Sequence, residues 1–130
     1  MGLREKSAEY YAKDYNCAES LLRAVDETEK LGLPECAIHA IGGFGGGCGC
    51  GEMCGAVAVG IEAISLKYIN DREHTAPECR RECRRFIKEH KERYGGILCR
   101  ELKPRTYSAE CKCKNTIGNT AELLEEFLKK

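Results

Sequence analysis

Ten of the 130 residues are cysteine: Cys17, Cys36, Cys48, Cys50, Cys54, Cys79, Cys83, Cys99, Cys111 and Cys113. Thiols do redox and soft-metal chemistry, and ten are too many to serve only as core filler. Spacing sorts them into groups. Cys48, Cys50 and Cys54 close a stretch, residues 42–51, that holds seven glycines in ten positions and leads into an expected helix. Free N–H groups and positive potential at a helix N-terminus favour thiolate over thiol and lower the cysteine pKa. The same groups donate hydrogen bonds to bound sulfide or thiolate. Cys54 is therefore the best single candidate for a reactive or ligating thiolate. The plainer alternative is that the glycines permit tight helix–loop–helix packing and Cys54 is core. A phosphate-binding loop is disfavoured, since no Gly-x-x-x-x-Gly-Lys-Ser/Thr and no preceding strand is present.

Cys79 and Cys83 stand four apart. On a helix they share a face, which suits two ligands to one metal. With Phe86, Ile87 and His90 they equally make the buried stripe of an amphipathic helix. Cys111-x-Cys113, preceded by Cys99, is a third group. A Cys-x-Cys pair does not readily close on itself but donates one or both sulfurs to a metal. Zinc-ribbon, thioredoxin and ferredoxin spacings are all absent. Four cysteines that share a site must therefore be brought together by the fold. His39, His74 and His90 are scattered and read as surface or packing residues. Tyr10, Tyr11 and Tyr15, just before Cys17, read as amphipathic packing residues that lie close to any redox centre there.

The elements that must position these thiols are helical. Glu5 to Tyr15 is rich in helix formers. Asn16 caps a second helix, residues 17–30, with Glu19 as its capping-box partner, and Gly32 is its natural stop. Pro34 opens a third helix carrying Cys36 to Ile41. A strongly apolar helix over 52–68 has a small-residue side (Gly55, Ala56, Ala58, Gly60) and reads as the central buried element. A charged helix over 77–94 ends at Gly95-Gly96. A short segment holds Cys99-Arg100-Glu101-Leu102, a loop surrounds Pro104, and Asn119 or Thr120 caps a last helix to Lys130. No strand alternation, repeat or linker is visible. The expectation is an all-α bundle of about five or six helices, one domain over residues 1–130, with the glycine-rich loop ahead of its central buried helix.

Composition narrows the function. A chain of this length buries roughly two-thirds of its unfolded surface and needs no disulfide staples. Formal net charge is zero, with 21 basic and 21 acidic residues, which argues against nucleic acid as partner. Arg80, Arg81, Arg84 and Arg85 interleave with Glu78, Glu82 and Glu89 as a solvated helix face. The charged start, Met1 to Lys6, offers no apolar signal region, and no run is long enough to span a membrane, so a cytoplasmic protein with reduced or metal-bound thiols is expected.

The local words in order are Asn16-Cys17-Ala18-Glu19, the glycines of 42–47, Gly51-Glu52-Met53-Cys54-Gly55-Ala56-Val57, Leu66-Lys67-Tyr68, Cys99-Arg100-Glu101-Leu102, and a last cysteine before an Ala-Glu-Leu-Leu helix. Together they resemble, over nearly the whole chain, the redox-active protein family named for its pattern C-GCAxxG-C-C. The resemblance implies four marked cysteines, here Cys17, Cys54, Cys99 and Cys113; Cys113 rather than Cys111 fits by its distance to Ala121-Glu122-Leu123. A similar domain accompanies haem in split-Soret cytochromes, with an iron–sulfur centre. The resemblance thus implies an iron–sulfur cluster, two-iron by preference, held by these four cysteines for electron transfer or redox sensing. The chain departs from the pattern at Val59, where the family has glycine, with Gly60 one place later. It also carries six further cysteines and lacks a Cys-x-x-Cys-His haem attachment sequence. Alternatives are thiol–disulfide exchange with Cys54 as the attacking thiolate, a structural zinc site, and a helical interaction module. The expected partner is a redox protein; a homo-oligomer stays open, and membrane and nucleic acid are not expected.

Overall fold

Asn16 starts the second helix as its sequence requires: its side chain accepts the Glu19 N–H at 2.9 Å while the Glu19 carboxylate accepts the Asn16 N–H at 3.0 Å. This reciprocal cap satisfies two donors that a helix end leaves open. The computed structural model, which describes residues 2–129, has seven α-helices in chain order. They are α1 (Leu3–Tyr11), α2 (Cys17–Glu29), α3 (Glu35–Ile41), α4 (Gly55–Tyr68), α5 (Pro77–Tyr94), α6 (Cys99–Thr106) and α7 (Lys114–Leu128). Among the described residues there is no strand, only two isolated antiparallel bridges, Met53 with Leu98 and Ser108 with Lys112.

α4 is the central helix. Residues from Gly55 to Gly60, with Ala63 and Ile64, are all buried, and α4 packs on α2, α5 and α7. Leu21, Leu22 and Val25 of α2 belong to the same buried apolar cluster. Phe86 of α5 lies over Gly60, where a Cβ would collide with its ring. Gly60 thus supplies the close approach one residue beyond the position the family pattern marks. Phe86 also meets Phe127 of α7 edge-on, ring centres 5.4 Å apart. Phe86→Ala is expected to lower unfolding free energy by roughly 3–5 kcal/mol, because the ring is fully buried and rigid helices cannot collapse into its space. Urea denaturation of the metal-free protein checks this.

The structure amends several expected boundaries. There are seven helices rather than five or six. α1 ends at Tyr11, and α2 stops at Lys30, in a left-handed conformation, before Gly32 is reached. α4 begins at Gly55 rather than at residue 52, because residues 52–54 are extended and held by Leu98 and Ile97. α6 runs through Pro104 instead of breaking into a loop there. α7 starts at Lys114, so Asn119 and Thr120 lie inside it. Asn119 accepts from Arg4 at 2.6 Å, and Thr120 bonds the Thr116 carbonyl and His90. Tertiary partners have replaced the local capping role. The end expected at Lys130 lies outside the described residues.

Candidate functional site

Each of the four family cysteines opens a helix. Cys17 is the first residue of α2, behind the Asn16 cap, and Cys99 is the first residue of α6. Cys54 and Cys113 are themselves the N-cap residues of α4 and α7. Four helices of eight or more residues therefore aim their N-termini at one place. All four sulfur-bearing residues line a single small cavity of about 20 Å³, with Gly46, Gly47, Gly55, Leu102, Lys103 and Thr116 completing its wall. That volume is about one water molecule. Among the described residues, no three cysteine, histidine or carboxylate side chains close on one metal-ion position.

Backbone pairing explains how residues so far apart in the chain converge. The Cys54 N–H donates to the Ile97 carbonyl at 2.8 Å, and the Cys99 N–H donates to the Glu52 carbonyl at 2.6 Å. These bonds lay segment 52–54 against 97–99 and bring Cys54 beside Cys99. The second segment is anchored in turn by the buried His90, whose Nδ1 lies 2.8 Å from the Gly96 carbonyl and Nε2 2.8 Å from Thr120 Oγ1. Cys17 is held by different means. The Asn16 amide donates to the Gly42 carbonyl at 2.9 Å, fastening the glycine segment to the head of α2. Gly55 then lets α2 approach: a Cβ there would sit 2.7 Å from the Cys17 sulfur. Cys113 is fixed by α1, since its N–H donates to the Tyr11 hydroxyl at 3.2 Å.

The glycine segment forms the remaining wall. Its first residues, Gly42–Phe44, make one 3₁₀ turn. Residues 46–49 then take consecutive left-handed conformations, Gly46, Gly47, Cys48 and Gly49 all having φ between 62° and 75°. Gly47 is buried inside this reversal and accepts the Glu52 N–H at 2.9 Å. The reversal turns Cys48 and Cys50 outward, where both are exposed, as is Cys36. They do not line the cavity. Cys79 and Cys83 also lie elsewhere, on α5. Cys79 is buried with its sulfur 3.8 Å from Ser65 Oγ, and burial with its neighbour Cys79 pushes the Cys83 thiol up to about 12. The buried-stripe reading fits this pair. Cys111 is half buried in the turn before α7.

The electrostatics correct one expectation. Burial pushes the Cys54 thiol up to about 12, with Cys17 and Cys99 adding to the rise. The Ala56 and Val57 amides pull the other way, though neither closes a regular cap hydrogen bond. A helix N-terminus alone thus does not make Cys54 a thiolate: loss of water outweighs the dipole. The Cys113 thiol is also raised, first by burial and then by Cys17 and Cys99, against the Lys103 ammonium and the Tyr11 hydroxyl. Iodoacetamide at pH 8 is accordingly expected to label Cys36, Cys48 and Cys50 of the metal-free protein at least tenfold faster than Cys54, read by peptide mass mapping; equal rates would contradict the buried site.

The described residues form an all-helical protein with four cysteines gathered at helix N-termini around one cavity. Residues 15–127 match the family described as "Putative redox-active protein (C_GCAxxG_C_C)", and the chain belongs to that family. No curated protein and no solved structure matches the chain. Among the described residues no helix is long and apolar enough to cross a membrane. Asn16 and Gly47 stood in the motif words and Tyr11 close to any redox centre at Cys17, but the Tyr11 contact with Cys113 and the Ile97 carbonyl's contact with Cys54 were not readable from sequence. Tyr11 stands 102 positions from Cys113, and no local signal links the two.

Proposed function

We propose that Cys17, Cys54, Cys99 and Cys113 hold one iron–sulfur cluster, of the two-iron type, and that the protein transfers single electrons or senses redox state in the cytoplasm. The observation that carries this reading is the convergence of four thiols at four helix N-termini on one cavity. The donor set suits the group: thiolates are the usual protein ligands of such clusters. Each helix N-terminus contributes roughly half a positive charge, so the four together offset about two negative charges. Four thiolates around an iron–sulfur core need that compensation in a site with little water. Seating the cluster requires the thiols to release their protons and part about their χ1 bonds. The bound cluster would supply one-electron exchange; the chain supplies ligands, N–H groups and exclusion of water.

Thiol–disulfide exchange is the weaker reading, because the Cys54 sulfur is buried and held protonated. Anaerobic reconstitution followed by iron, acid-labile sulfide and visible-spectrum measurements tests the proposal. Coloured protein with iron and sulfide in equal amounts is expected. A colourless, iron-free chain would contradict it.

A further inference from the structure

The four sulfurs are not equivalent. Cys17, Cys54 and Cys99 are 8%, 5% and 9% exposed, whereas Cys113 is half buried and opens toward solvent. Its surroundings are cationic. Lys103 lines the same cavity as Cys113. Lys112 and Lys114 flank Cys113 in the chain and are exposed. Among the described residues none of these three lysines closes an ion pair. Lys103 stands over the exposed Tyr107 ring, its ammonium 5.2 Å from the ring centre. Glu110 is the single carboxylate in the stretch 106–114, and the nearby Arg100 is already paired with Glu52. The chain as a whole has no net charge. Attraction of a charged partner must therefore come from a local patch, felt within about 8–10 Å at ordinary salt.

We propose that Cys113 is the electron port of the site, and that Lys103, Lys112 and Lys114 form the docking collar for a one-electron redox protein with a carboxylate-rich face. This rests on the cluster reading above. Electron transfer falls off with distance, so a partner does best at the least-covered ligand, and unpaired lysines there steer an anionic surface to it. A bound cluster would supply the single electron, which the oxidised partner protein would take up, with no bond made and no proton moved; Cys113 would be the ligand nearest that partner. Tyr11 is a positioning residue: its hydroxyl fixes Cys113 from the α1 side.

Charged inorganic oxidants probe the port. Protein reconstituted with its cluster and reduced by dithionite is mixed in stopped flow with hexacyanoferrate(III) or with tris(phenanthroline)cobalt(III). The rate with the anion should fall as salt rises, and the rate with the cation should rise. Lys112→Glu/Lys114→Glu, at two exposed positions, should slow the anion at least fivefold and speed the cation. Salt responses of the opposite sign, or rates unmoved by the double substitution, would overturn the collar. A second readout needs no cluster. In metal-free protein the anionic disulfide 5,5′-dithiobis(2-nitrobenzoate) should modify Cys113 before Cys17, Cys54 or Cys99, and the same double substitution should slow that step at least fivefold more than it slows neutral iodoacetamide, which shares the thiolate requirement but feels no charge attraction. Failure to form a cluster would end the functional reading. The thiol experiment still decides, by itself, whether the collar stands at Cys113.

Discussion

Cys54→Ser is expected to remove bound iron almost completely, by tenfold or more, while leaving the metal-free fold at least as stable as before. The two effects separate because Cys54 is both the proposed ligand and the N-cap of α4. Serine is one of the best N-cap residues and differs from cysteine by one atom. Its hydroxyl is well placed to accept from the Ala56 or Val57 amides, for a gain of roughly 0.5–1 kcal/mol over a cap that closes no regular bond. An alkoxide is a far poorer iron ligand than a thiolate, so the centre loses a corner. Iron content and urea denaturation, measured on the same preparation, check the pair of outcomes. Iron retained at the native level would mean that Cys54 is only core.

Gly47→Ala should be the most damaging single change in the glycine segment. Gly47 has φ +65°, where an added Cβ costs roughly 1–2 kcal/mol. The same Cβ would lie 2.5 Å from the Glu52 nitrogen and 2.7 Å from the Cys99 Cβ. Backbone cannot swing aside as a long side chain can, so the 46–52 reversal must open and the wall between Cys54 and Cys99 must shift. Gly49→Ala is the matched control. Its φ is +75° but nothing lies within 4 Å of the added Cβ. It should pay only the conformational cost and keep its iron. Comparable iron content in the two variants would show that Gly47 does not shape the site.

The sequence carried the helices better than the site. The capping box at Asn16 and Glu19 and the Gly95 stop are local features that act where they were read, and the charged helix over 77–94 has the bounds expected of it. Cys54 at a helix start was legible for the same reason. What could not be read was the cost of burying it: the dipole is a property of one helix, but the loss of water is set by α2, α6 and α7 closing over the sulfur. The end of α6 and the start of α7 were misread: α6 continues through Pro104, where a loop was expected, and at Asn119 and Thr120 tertiary contacts with Arg4 and His90 replace the expected cap. The grouping of Cys17, Cys54, Cys99 and Cys113 came from family resemblance rather than spacing. The structure supplies the physical device beneath that pattern, a helix N-terminus for each.

The most direct measurement is on a chain that keeps only those four cysteines, with Cys36, Cys48, Cys50 and Cys111 changed to Ser and Cys79 and Cys83 to Ala. Helical content by circular dichroism establishes that it folds, and iron and acid-labile sulfide are then counted after anaerobic reconstitution. Iron, sulfide and visible spectrum equal to those of the native chain are predicted. A folded four-cysteine chain that stays colourless, beside a native chain that binds iron, would place the centre on other sulfurs and contradict the account.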